Sequence, residues 1–182
     1  MNKITKLMIF TMMMICALAI AGCGGSDKFS GTWSSVEGKS PLDLGGHTYR
    51  LISIEKNSDN SYIVKYDNTY WYELDIYRIS GNTWDNSAVY KMIYKWENLT
   101  PKKGSATLKG NTLEGPVYLT YVEKDDTLLD GEGRTYKREK SEEDGLKTFK
   151  ENEQKRLLDI EKKYKGQLIP QLKGKFDSFV FK

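Results

Sequence analysis

Sulfur is nearly absent from this chain. The only cysteines are Cys16 and Cys23, and of six methionines only Met92 lies beyond residue 14. Without cysteine past residue 23 there is no disulfide framework and no thiolate metal site, so the fold must stand on its core alone. Histidine is equally scarce: His47, in Gly45-Gly46-His47-Thr48, is the single one. One imidazole, with no nucleophile-elbow pattern, excludes a Cys–His nucleophile and a His-rich metal cluster and leaves little basis for a Ser-His-Asp triad. A surplus of one charge is missing too. Beyond residue 22, 26 Lys and Arg face 25 Asp and Glu, which is not the footprint of a nucleic-acid binder. No glycine-rich phosphate loop is present, and 182 residues do not accommodate a multi-domain enzyme.

Long apolar runs are also lacking. Residues 7–20 form a charge-free stretch of 14 residues, short of the roughly 20 that span a bilayer but right for the h-region of a signal peptide. Lys3 and Lys6 precede it, and Ile20-Ala21-Gly22-Cys23 follows. That ending resembles the lipobox of bacterial lipoproteins. The resemblance implies a signal peptide over residues 1–22, cleavage before Cys23, and a Cys23 thiol carrying diacylglycerol and palmitate-like acyl chains. The domain would then be lipid-anchored on the extracytoplasmic side of the cell membrane or outer membrane. Residues 23–28 become the lipidated cysteine and a short linker, which at about 3.5 Å per residue reaches under about 20 Å. Gly24 stands where the inner-membrane retention signal of enterobacterial lipoproteins has aspartate.

What the remaining chain does have is aromatic side chains, 12 Tyr and 4 Trp, all beyond residue 22. Aromatic richness with Gly and Asn punctuation favours strands. Period-2 alternation places Tyr62, Val64 and Tyr66 on one face, and then Tyr70, Tyr72, Leu74 and Ile76 opposite Trp71, Glu73 and Asp75. Ala88, Tyr90, Met92, Tyr94 and Trp96 alternate with Lys91 and Lys95, and Val117, Leu119 and Tyr121 with Tyr118 and Thr120. Turn signals fall between these runs at Asn57-Ser58-Asp59-Asn60, Gly81-Asn82, Gly110-Asn111 and Asp130-Gly131. The expectation is a mainly β domain of eight or nine short antiparallel strands in up-and-down order over residues 29–140. Closure into a small barrel would remove its edges; a sandwich is the other arrangement such strands allow. Residues 141–182 read as a C-terminal helix and tail packing on the barrel. Ser141 and Asp144 make a capping pair. Leu146, Phe149, Leu157, Ile160 and Tyr164 follow at helical spacing, with Glu153 as the polar intruder and Gly166 as the stop. The aromatic tail, residues 176–181, should dock as a strand or against the barrel rim.

Phe29-Ser30-Gly31-Thr32-Trp33 opens the first strand. A Gly-x-Trp there, a strand-rich middle and one helix after the last strand resemble the lipocalin (calycin) pattern. The resemblance implies that Trp33 closes one end of the barrel and that Arg138, or else Arg134, packs across it. The family's Thr-Asp-Tyr motif is missing, Leu119-Thr120-Tyr121 being the nearest stretch, and so is its disulfide.

No constellation argues for enzymatic chemistry. Asp125-Asp126 and Glu142-Glu143-Asp144 pair carboxylates as a glycosidase does, yet each sits beside lysines in a polar stretch typical of solvated surface. Asp59 with Asn57 and Asn60 lacks the ligand spacing of a calcium loop. The expected chain is therefore non-enzymatic, without metal or cofactor, and binds a small apolar ligand or an envelope component. Trp33, Tyr70, Tyr72, Tyr90, Tyr94 and Trp96 would line the cup if they faced into a barrel; they would simply fill the core if the interior is packed. The alternative is an inhibitor or envelope assembly factor that docks a protein through an outer aromatic surface of Trp71, Tyr77 and Trp84.

Overall fold

The computed structural model describes residues 27–38 and 47–182; the signal-peptide and lipobox readings, Cys23 included, lie outside the described residues. Eleven strands form one sheet: β1 (Gly31–Glu37), β2 (Thr48–Ser58), β3 (Ser61–Ser80), β4 (Ala88–Asn98), β5 (Lys102–Lys109), β6 (Thr112–Glu114), β7 (Leu119–Val122), β8 (Thr127–Asp130), β9 (Thr135–Glu139), β10 (Leu168–Ile169) and β11 (Gly174–Phe181). One α-helix, α1 (Glu142–Tyr164), follows β9. No helix among the described residues is long and apolar enough to cross a membrane.

Eight strands close a ring, because β3 pairs with β5 as well as with β2, and β9 pairs back onto β1. Every pairing in the ring is antiparallel. Chain order is kept once β4 and β5 are seen as two halves of one interrupted strand. β4 runs beside residues 70–80 of β3 and β5 beside residues 61–66. Their break at Leu99-Thr100-Pro101 lies opposite the β3 bulge, where Asp67 takes a φ of 57° and the β2 register slips. The result is a long β3–β4/β5 hairpin whose lower half is barrel wall. Its upper half leaves the barrel as an arm, to which β11 adds in parallel along β4 and β10 along β11.

Two apolar cores follow from this geometry. The barrel core holds Phe29, Trp33, Ile52, Ile54, Tyr62, Val64, Ala106, Leu113, Leu119, Leu128 and Tyr136. The arm core, between the arm sheet and α1, holds Tyr72, Met92, Tyr94, Leu157, Ile169, Phe176 and Phe179. A smaller cluster of Tyr49, Leu51 and Phe149 joins α1 to the outside of β2. The tail therefore docks as a strand on the arm, and α1 spans both barrel and arm as a splint.

The start of α1 is firmly seated. The Ser141 hydroxyl accepts from the Asp144 N–H at 3.1 Å, a regular N-cap. The Glu142 carboxylate reaches back to β3, accepting from Lys65 Nζ at 2.9 Å and Asn68 Nδ2 at 2.8 Å. Gly145 then allows close contact, since a Cβ there would stand 2.3 Å from Tyr49 Oη. At the far end Gly166, with a φ of 74°, ends the helix.

Candidate functional site

The barrel lumen is filled. Trp33, Val64, Leu113, Leu119 and Leu128 have no exposed surface, and both mouths are closed by specific contacts. At the mouth nearest the N-terminus the Arg138 guanidinium lies 4.0 Å from the centre of the Trp33 ring, a cation–π pair. Arg138 also donates to the Ser30 carbonyl at 2.7 Å, the Lys28 carbonyl at 3.1 Å and the Asp126 carboxylate at 3.1 Å. The Trp33 indole N–H donates to the Phe29 carbonyl at 2.8 Å. Beside them the Tyr62 hydroxyl donates to Asp27 at 3.0 Å, and burial, then that carboxylate, pushes its pKa up to about 12.

Arg134 belongs to the opposite mouth. There it pairs with Asp130 at 2.7 Å and with Glu132 at 2.7 Å, while Arg50 pairs with Glu37 at 3.3 Å and donates to Thr69 Oγ1 at 3.3 Å. Burial raises the Asp130 carboxyl, but the Arg134 hydrogen bonds outweigh it and hold the group below the ordinary aspartate value. The space left between these side chains is about 50 Å³, room for little more than water.

The six aromatic residues expected around a cup are thus divided. Trp33 alone is part of the barrel core. Tyr70, Tyr72, Tyr94 and Trp96 pack against α1 and the tail outside the barrel, with Tyr72 and Trp96 ring centres 4.8 Å apart and Tyr70 stacked on Trp96 at 5.7 Å. Tyr90, half-buried, lies on the same side of the arm, beside Gly174. The alternation that marks these residues as inward-facing is genuine; the interior they face is the helix-covered side of the arm. Of the outer aromatic set, Trp84 at the arm's end is 91 % exposed and Tyr77 48 % exposed, whereas Trp71 is half-buried at the root of the arm.

A concavity with defined walls lies outside the barrel. It is a groove of about 550 Å³ between α1 and the outer faces of β1, β2 and β9. Phe149 and Tyr49, stacked at 4.8 Å, form its apolar floor. Ser34, Thr135, Thr148 and Asn152 supply uncharged polar groups, and Lys137 a cation. On one wall Glu139 accepts from the Ser34 hydroxyl and, at 3.4 Å, from the Tyr49 hydroxyl. Burial pushes the Tyr49 hydroxyl pKa far up, with the Glu139 charge adding to it, so it stays a donor.

The other wall is built on Glu153, the polar intruder in the helix stripe. Its side chain is 2 % exposed and lies 2.9 Å from His47 Nδ1 and 2.6 Å from Arg156 Nη2. It also accepts from the His47 backbone N–H at 2.9 Å and from Arg156 Nε at 3.0 Å. Burial raises this carboxyl; the Arg156 hydrogen bonds and the His47 N–H more than reverse the effect, holding it ionised below the ordinary glutamate value. Glu153 fixes the segment entering β2 to the helix, and all its lone pairs face partners within the protein. Sequence periodicity marks Glu153 as anomalous but does not supply its partner, 106 residues away.

Asp125 and Asp126 sit at the β7–β8 turn, where Asp126 engages Arg138 and Tyr121. In Glu142-Glu143-Asp144 the first residue seats the helix and the third accepts from Ser141 Oγ at 3.0 Å. Asp126, Glu142 and Asp144 are thus tied to structural partners. No cluster of three His, Cys, Asp or Glu suited to a metal ion occurs among the described residues. Comparison with family models, with curated proteins and with solved structures finds no match to this chain.

Proposed function

We propose that this chain is a lipid-anchored extracytoplasmic binding protein of lipocalin-like build, without enzymatic activity, that holds its ligand in the groove between α1 and the barrel wall. The observation that carries this reading is the contrast between a lumen filled by fully buried side chains and an external groove of about 550 Å³. A groove of that size is in the range of small-molecule sites. Its apolar floor and rim of hydroxyl and amide groups suit an envelope component with a small apolar face and a hydrogen-bonding head. The anchor rests on Lys3, Lys6, the apolar run 7–20 and Ile20-Ala21-Gly22-Cys23. Gly-x-Trp at Trp33, its contact with Arg138 and the closed eight-strand barrel support the lipocalin-like assignment.

Native mass spectrometry of the chain extracted from its own membranes tests this. A ligand adduct should accompany the wild-type chain and be lost from Thr148→Trp, whose indole would fill the groove. A clean ligand-free mass for the wild type counts against the groove as a binding site.

A second reading, docking of a macromolecular partner through the arm, is favoured by the exposure of Trp84, Ile79 and Tyr77. Crosslinking in whole cells separates the two, since a small-ligand carrier has no stoichiometric protein partner.

A further inference from the structure

The arm ends in an unusual combination of apolar exposure and positive charge. Trp84 occupies the β3–β4 turn with 91 % of its surface exposed. The turn holds it there: Trp84 N–H donates to Asn82 Oδ1 at 3.0 Å, Ser87 N–H to Asp85 Oδ1 at 2.9 Å, and Ala88 N–H to the Asn82 carbonyl at 2.9 Å. Below it one cross-strand row runs from Ser80 through Val89 and Lys175 to Leu168. Ile79, beside Ser80, is 54 % exposed and Leu168 48 % exposed.

Charge is distributed unevenly along the molecule. Residues 161–177 carry five lysines against Glu161 and Asp177, and residues 78–91 carry Arg78 and Lys91 against Asp85. These two segments lie toward the free end of the arm, where Gly174 pairs with Ala88, and hold 7 basic and 3 acidic side chains. The other described residues hold 18 basic and 21 acidic ones. The described residues are therefore polarised, positive toward the arm's end and negative elsewhere.

The first described residues lie at the opposite end. Asp27 is bound to Tyr62 near the start of β3, and β3 runs from there to Ser80 in one strand. At about 3.3 Å per residue this sets the Trp84 turn up to about 60 Å from Asp27.

We propose that the free end of the arm is a contact site for an anionic phospholipid bilayer, facing away from the N-terminal anchor. Tryptophan and aliphatic side chains settle at the headgroup boundary, and flexible lysines around them add diffuse attraction to anionic lipid. Trp84 projects from a turn with a basic surround, which matches a soft, charged interface. The second-membrane orientation rests on the lipid-anchor reading.

The test uses the mature chain isolated from its membranes and seated in neutral phosphatidylcholine vesicles. A second, labelled vesicle population contains phosphatidylglycerol and phosphatidylcholine in equal parts, and capture between populations is followed by energy transfer. The expected result is capture of the anionic vesicles but not of neutral ones, weakening with salt and accompanied by a blue shift of tryptophan emission. Trp84→Ala should abolish the blue shift. Lys173→Gln and Lys175→Gln should each weaken capture roughly fivefold. Equal capture of neutral vesicles, no capture, or capture unchanged in all three variants overturns the proposal, as does binding of an acidic protein with no vesicle binding. Failure of the anchor reading looks different: the chain then does not remain with the first vesicles, yet the free protein still binds the anionic ones through Trp84.

Discussion

Replacing Gly145 by alanine tests how closely α1 lies on the barrel. In an ordinary helix interior this change stabilises by about 1 kcal/mol, because glycine retains more freedom in the unfolded chain. Here the new methyl would stand 2.3 Å from Tyr49 Oη and 3.0 Å from Glu139 Cδ. Neither neighbour is free to move. The Tyr49 ring is buried and stacked on Phe149 at 4.8 Å, and Glu139 is held by the Ser34 hydroxyl. The helix must lift from the wall, an overpacking cost of about 1–3 kcal/mol. Loss of the Tyr49 hydrogen bond adds about 1 kcal/mol. The net expectation is a loss of about 1–3 kcal/mol, or roughly 3–10 °C in Tm for a chain of this size. Urea unfolding of the wild type and Gly145→Ala measures it, with Gly131→Ala as control because a Cβ there meets nothing closer than 3.8 Å. A Gly145→Ala protein as stable as the wild type, or more so, would refute the close seating of α1 and with it the groove's inner wall.

Other perturbations have equally definite outcomes. Glu153→Gln leaves Arg156 and His47 facing a neutral amide and should cost about 2–4 kcal/mol near neutral pH. The Glu153 carboxyl titrates below its ordinary value of 4.5. Its stabilisation is therefore full above that value and fades as pH falls through the lower folded pKa. Acid unfolding should be shallower in Glu153→Gln, and superimposable pH profiles would contradict this. Arg138→Lys cannot reproduce both the fork to Asp126 and the bonds to two carbonyls, so a loss of about 1–2 kcal/mol in chemical denaturation is expected; an unchanged midpoint argues against Arg138 as the closure of that mouth. Trp33→Ala should cost about 3–5 kcal/mol, whereas Trp84→Ala should stay within about 0.5 kcal/mol of the wild type. Equal losses for the two would show that the arm's end is not free. Cys23→Ser should abolish acyl labelling and leave uncleaved precursor; acyl label retained on the variant would sink the anchor.

Local rules reached a good part of this fold. The turns at Asp59-Asn60 and Gly81-Asn82, the Ser141 cap, the Gly166 stop and the alternation from Ala88 to Trp96 all recur in the structure, because each depends on residues close in sequence. The meander order and barrel closure also follow from them. What alternation cannot report is which interior a face looks into. Tyr72 and Tyr94 share the inward parity of a barrel strand, but the bulge at Asp67 carries their half of the hairpin out of the ring, where α1 covers them. A strand of 20 residues broken only by a bulge resembles two short strands when read in windows. Parallel pairing of the tail with β4 and the bond between Glu153 and His47 are long-range choices, visible only once the helix has been placed. The groove follows from the same placement: no segment of sequence encodes it, since its floor and walls come from β1, β2, β9 and α1 together.

The barrel is a filled scaffold, and the proposed binding takes place on its outer wall. Methyl-resolved NMR of the chain, titrated with an extract of its own envelope, tests this most directly. Ligand-induced shifts should appear at Val36 and Thr148, which line the groove, and leave Val64, Leu113, Leu119 and Leu128 in the lumen unmoved. Shifts confined to those four lumen residues, with Val36 and Thr148 silent, would contradict it.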